Sequence, residues 1–224
     1  MMYCIFFIVS GLIGFWAHYY MSHFSTQLIR DVYEGYCEIF PKNPPHFEPQ
    51  KSKLKPIKCG QNWQYFLGAN LLFCINTVLV DDLLLGLSFT ALLIILIVIS
   101  VIDWYYKLIS PALCQFLLCG GLCSAYFHYF SLTLEQSLFS AMVSFLIFWS
   151  IFHLSKWCYH AEVFGRGDYW FIAALSSFLP WQSLPLFIFL SCLLAIIYAL
   201  IAKTQTIPFA PFLSIGAIST FMLG

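Results

Sequence analysis

Apolar residues fall along this chain in long unbroken blocks separated by short polar breaks, with none of the period-two alternation that marks a half-buried strand. A helix needs about 20 mostly apolar residues to cross roughly 30 Å of hydrocarbon. Eight blocks approach that length: residues 3–20, 63–80, 83–102, 108–127, 138–154, 169–179, 184–202 and 209–223. The pattern predicts an all-α, polytopic integral membrane protein of about eight transmembrane helices. The sixth and eighth blocks are short, so they are expected to borrow flanking residues, to tilt or, for the sixth, to be re-entrant. No Lys or Arg precedes the first block and no small-residue cleavage pattern follows it, which reads as a retained span and not a signal peptide.

Residues 21–62 break the pattern. They are polar and contain Pro41, Pro44, Pro45, Pro49 and Pro56, which exclude an embedded segment. The expected organisation is a first span at 1–20, one proline-rich cytoplasmic loop at 21–62 and a seven-span unit at 63–224. The basic residues support this division. Arg30, Lys42, Lys51, Lys53, Lys55 and Lys58 fall in the first break, Lys107 in the third, Lys156 and Arg166 in the fifth and Lys203 in the seventh, while the even-numbered breaks hold none. By the positive-inside rule the odd-numbered breaks are cytoplasmic and both termini lie outside.

Composition narrows the function classes. Charged residues are 9% of the chain, against roughly 25% in a soluble domain, and ten Lys+Arg balance ten Asp+Glu. No basic face can be assembled from so few, so nucleic acid is excluded as a partner and the lipid bilayer is the expected surroundings. The nine cysteines lie mostly inside apolar blocks and read as small apolar residues; Cys114, Cys119 and Cys123, with Gly120 and Gly121, suggest a close helix contact. Asn70 and Asn76 are expected to bond between helices.

Two carboxylates stand out. Asp103 closes the block ending Ile99-Ser100-Val101-Ile102, and Asp168 follows Gly165-Arg166-Gly167, both at breaks on the cytoplasmic side. A lone aspartate at a span end is also an ordinary solvated cap. Glycines around one of them add information, because glycine admits unusual backbone conformations and close approach of another chain. Two carboxyls held close share a proton and titrate as a pair, so one can take a proton from water while the other donates to a scissile carbonyl. That is aspartyl proteolysis, and it needs no metal. Which of the two is the resting base is open at this stage.

The tetrad Gly165-Arg166-Gly167-Asp168, Asp103 upstream of it, Ile109-Ser110-Pro111 and Ile207-Pro208-Phe209-Ala210-Pro211-Phe212 together resemble the Gly-x-Gly-Asp membrane aspartyl proteases, and specifically the type IV prepilin leader peptidases. The resemblance runs most strongly from about residue 83 onward. It implies Asp103 and Asp168 as catalytic residues, with Gly165, Gly167, Pro208 and Pro211 shaping the loops that meet substrate. Implied substrates are prepilins or pseudopilins, which lose a short basic leader after a Gly at the cytoplasmic boundary of the bacterial inner membrane, with pilus or secretion assembly machinery as a further partner. Glu162 beside the tetrad is a candidate for attracting that leader.

Two departures from the family pattern bear on activity. Relatives often place a Lys two residues after the second aspartate, where Trp170 stands here. Many also carry two Cys-x-x-Cys pairs in the first cytoplasmic loop, a tetrathiolate zinc arrangement tied to N-methyltransferase activity. Here that loop holds Cys37 and Cys59 with His46 between them, a degenerate equivalent, and no metal site is expected. The peptidase needs no cofactor; S-adenosylmethionine enters only if methyltransferase activity is retained. Two other functions compete: a non-enzymatic subunit or transporter using the aspartates for proton or cation coupling, and the same chemistry on preflagellin-like substrates.

Overall fold

The computed structural model describes residues 2–40, 54–80, 82–129, 132–159, 165–203 and 206–223. Among them are eight α-helices and no strand: α1 Met2–Ile39, α2 Asn62–Val80, α3 Leu83–Tyr106, α4 Pro111–Tyr126, α5 Leu134–Tyr159, α6 Arg166–Ser176, α7 Leu184–Ala202 and α8 Ala210–Leu223, with a 3-10 turn at Trp181–Ser183 leading into α7. The eight apolar blocks and the eight helices correspond one to one. Five segments are long and apolar enough to cross a membrane, Tyr3–Ile39, Asn62–Val80, Leu83–Tyr106, Leu134–Cys158 and Trp181–Ala202. The chain is an all-α polytopic membrane protein.

Helix boundaries differ from the block boundaries where apolar character and helix-stopping chemistry diverge. α1 continues 19 residues past residue 20, to a length of about 57 Å, so the first half of the expected loop is helical. Polar side chains take a helix out of hydrocarbon without ending it, and no proline occurs before Pro41. Pro41, Pro44, Pro45, Pro49 and His46 lie outside the described residues, as does Glu162. α3 likewise runs past Ile102 to Tyr106 and stops where Lys107 takes a left-handed φ of 54°. α6 has 11 residues and spans about 16 Å, half of a hydrocarbon core.

The fold divides into two compact units, Met1–Ile94 and Ile95–Gly224. In the first, α1 and α2 are antiparallel and touch closely because glycines leave room: a Cβ on Gly14 would stand 2.4 Å from the Tyr65 carbonyl oxygen, and one on Gly11 would enter the Phe66 ring. Ser10, fully buried, donates to the Ala69 carbonyl at 3.0 Å. Asn76 donates to Thr90 on α3 at 3.0 Å, the expected interhelical bond. Asn70 departs from expectation: its amide donates within its own helix to Phe66, and its buried oxygen has no partner among the described residues.

In the second unit α6 is the centre, packed against α4, α5 and α8. Six consecutive residues, Phe171 to Ser176, are buried, so every face of the second half of this short helix is covered by protein. Gly121 of α4 admits Ser177, whose Oγ would lie 1.9 Å from a Cβ there, and Ser137 of α5 donates to the Ser177 carbonyl at 2.6 Å. The contact expected of the α4 cysteines therefore belongs to Gly121; Cys119 and Cys123 are exposed and only Cys114 is buried. Gly216 of α8 lets Ser191 of α7 approach in the same way.

Candidate active site

The site is assembled from three segments of the second unit: the last turn of α3, the first turn of α6 and the first turn of α8. Asp103 lies inside α3, not beyond it, and is 5% exposed. Its Oδ2 accepts the backbone N–H of Ala210 at 2.8 Å, and the neighbouring Phe209 N–H lies within electrostatic reach of the same carboxylate. Local sequence explains those free donors. The first N–H groups of a helix have no partner within it. Pro208 precedes the start of α8 and Pro211 occupies its second position, and neither has an N–H, so Phe209 and Ala210 supply donors unmatched within the helix. The Phe209 carbonyl is engaged by Phe212 and Leu213, both at 3.1 Å, which fixes the turn.

Asp168 is the third residue of α6, so the glycine tetrad opens a helix. Its carboxylate reaches back to the Gly165 N–H at 3.2 Å while its own N–H donates to the Gly165 carbonyl at 3.2 Å. This is half of a capping box, since glycine has no side chain to complete it. Neither tetrad glycine has a positive φ. Their role is space: a Cβ on Gly165 would lie 2.7 Å from Asp168 Oδ2, and one on Gly167 would lie 2.6 Å from Ile109 Cβ. Ile109, in the link between α3 and α4, thereby docks the Asp103 end of α3 onto the start of α6.

The structure brings the two aspartates into electrostatic contact. Burial first, and then the negative charge of Asp103, push the half-buried Asp168 carboxyl from its ordinary 3.8 up to about 7, with the Gly165 N–H drawing it partly back. Cys114 lies within reach of the Asp168 charge, and Lys107 within reach of Asp103. Lys107 also hydrogen-bonds Thr206, tying the end of α3 to the segment that leads into α8. Beyond Asp168, Tyr169 and Trp170 pack on Phe145, and Tyr169 on Phe152 of α5, over which the Arg166 guanidinium sits at 5.9 Å. Trp170 thus anchors α6 against α5.

Asp103, Gly165, Gly167, Asp168, Pro208 and Pro211, the six residues the resemblance implies, lie in or immediately before these segments. Sequence reasoning missed the Phe209 and Ala210 amides, Ile109 and Cys114. Two prolines flanking Phe-Ala at a helix start were the available signal for the amides; nothing local marked the other two. Cys37 and Cys59 are half-buried, and no group of three or more His, Cys, Asp or Glu gathers as a ligand set among the described residues.

Comparison with known proteins bears on this arrangement. Residues 90–200, which include both aspartates, match the type IV leader peptidase family. A Haemophilus influenzae protein named prepilin leader peptidase/N-methyltransferase is 36% identical over 225 aligned positions, covering 100% of this chain and 98% of that protein. Proteins of the same name from Dichelobacter nodosus and Pseudomonas aeruginosa are 34% and 37% identical over 58% and 54% of this chain, which spans 46% and 44% of their longer sequences. No solved structure gives a significant match. With a full-length relative at that identity and both aspartates inside the matched region, the chain belongs to the type IV leader peptidase family.

Proposed function

We propose that this chain is a membrane-embedded aspartyl endopeptidase that removes the short basic leader from type IV prepilins or pseudopilins, cutting after a Gly with Asp103 and Asp168 as the catalytic pair. The observation that carries this reading is the juxtaposition of two carboxylates from separate helices, one almost fully buried and the other raised to about 7, so that a shared proton is held at neutral pH. Supporting it are family membership and the names of the relatives. Neither supports the transporter reading that the aspartates alone allow.

The alternation of basic residues supports an orientation in a bacterial inner membrane with the pair facing the cytoplasm, where a basic leader would arrive. The pilus or secretion machinery is the destination of the product. Leader removal is the reaction proposed; S-adenosylmethionine enters only with methylation of the new N-terminus.

The test is co-expression in membranes of a prepilin with wild type, Asp103→Asn and Asp168→Asn, read by the mobility shift of the mature product. Cleavage by wild type and failure of both inserted variants is the expected result. Near wild-type cleavage by either variant removes the two-aspartate mechanism.

A further inference from the structure

The two carboxylates are held by unequal surroundings. Asp103 accepts the Ala210 N–H at 2.8 Å at the positive end of α8, with the Phe209 N–H within electrostatic reach, and the Lys107 ammonium also lies within reach of Asp103. At 5% exposure it is closed to bulk water, so water cannot readily replace those donors. Among the described residues, Asp168 accepts one N–H, from Gly165, at the longer distance of 3.2 Å. Among the described residues, the other titratable or charged groups on the elements packed here include Cys114 of α4 near Asp168, Arg166 of α6 over the Phe152 ring of α5, Tyr169 of α6 against Phe145 and Phe152, and Tyr198 of α7, whose ring meets Trp104 and Phe212. α8 contributes none.

The donors at α8 are held in register. Ser214, four residues beyond Ala210, donates to the Ala210 carbonyl at 2.9 Å, and its oxygen lies 3.1 Å from that of Ser100, three residues before Asp103. Two polar contacts about one turn apart therefore lock α8 onto α3 where Asp103 meets Ala210.

Resting on the aspartyl endopeptidase reading, we propose that the Phe209 and Ala210 amides hold Asp103 as the anionic member of the pair, making Asp103 the general base and Asp168 the general acid. Backbone N–H groups stabilise a carboxylate and not its protonated form. Asp103 takes a proton from water as the water oxygen bonds to the scissile carbonyl carbon, and Asp168 gives its proton to the carbonyl oxygen. The resulting diol collapses: the C–N bond breaks, the departing nitrogen takes the proton from Asp103, and one diol hydroxyl returns a proton to Asp168. The products are a carboxylic acid and an amine, and both aspartates regain their starting states.

The experiment replaces Ala210 by lactic acid in the full-length protein, an amide-to-ester change that removes the N–H and keeps the side chain. The pH profile of kcat/KM for prepilin cleavage is then measured in membranes. The acidic limb is expected to move up by about one pH unit, the order expected for one lost N–H donor, with the alkaline limb in place and KM unchanged. An alkaline limb that moves while the acidic one stays reverses the roles and overturns the assignment. Lower activity with an unmoved profile makes the amide structural only. An ester at Leu213, whose N–H bonds within the helix to Phe209, is the control, and an equal shift there also overturns the proposal. Near wild-type activity of Asp103→Asn or Asp168→Asn sinks the underlying reading; inactivity of both with no ester effect sinks this inference alone.

Discussion

The Ala210 amide donates to the Asp103 carboxylate at 2.8 Å across 107 residues of chain, joining the last turn of α3 to the first turn of α8. This bond gives the proline-flanked start of α8 a physical role. Asp168, on α6, lies within reach of the Asp103 charge and is raised to about 7, by burial first and by that charge second.

Under the proposed assignment of Asp168 as the acid, that raised value sets the pH dependence of cleavage. Below about 7 Asp168 keeps the proton that the carbonyl oxygen receives; above it both carboxyls are ionised and the acid is lost. Cleavage by wild type in membranes is expected to fall as pH rises through about 7. A rate still climbing between pH 7 and 9 contradicts this.

The same group affects stability, with a definite sign. Its value is raised from 3.8 in the folded state, so its contribution is fully present below about pH 4 and is lost as pH rises through about 7. Thermal unfolding in detergent should show wild type losing stability between pH 5 and 8 relative to Asp168→Asn, which has no proton to lose there. Parallel curves for the two proteins argue against a raised Asp168.

Gly167 is required for space and not for its backbone freedom. Gly167→Ala places a Cβ 2.6 Å from Ile109 Cβ and is expected to cost about 1–3 kcal/mol and most of the activity. Adding Ile109→Gly, which removes the clashing Cβ, should restore part of both, as a double-mutant cycle on cleavage and thermal stability will show; independent, additive losses would break the link.

Adjacent glycines on α4 should behave oppositely. Gly121→Ala meets Ser177 Oγ and is expected to destabilise by about 1–3 kcal/mol, whereas Gly120 has nothing within 4 Å and Gly120→Ala should be neutral or mildly stabilising. Melting temperatures in one detergent decide it, and equal losses at both positions contradict the packing.

In unit 1, Asn76 and Thr90 form a buried side-chain bond between α2 and α3. A double-mutant cycle with Asn76→Ala and Thr90→Ala is expected to give a coupling of about 0.6 kcal/mol, the usual size for such pairs within a membrane. Zero coupling would mean that the two side chains do not meet.

The sequence by itself determined the number and order of the helices, because hydrocarbon demands long apolar runs with internally bonded backbones and this chain supplies eight near that length. It also marked Asp103, Asp168 and the proline element, since charge at the edge of an apolar run and proline near a helix start are local signals. Helix ends were less legible at α1 and α3, because polarity ends a membrane run while only backbone chemistry ends a helix. Tertiary structure alone decided that the second half of α6 is enclosed by protein, that the tetrad glycines serve close approach at ordinary φ, and that Asp103 and Asp168 differ. Those outcomes depend on which groups distant segments bring to Ile109, Ala210 and Asp168, and contacts across 58 to 107 residues leave no local pattern in the chain.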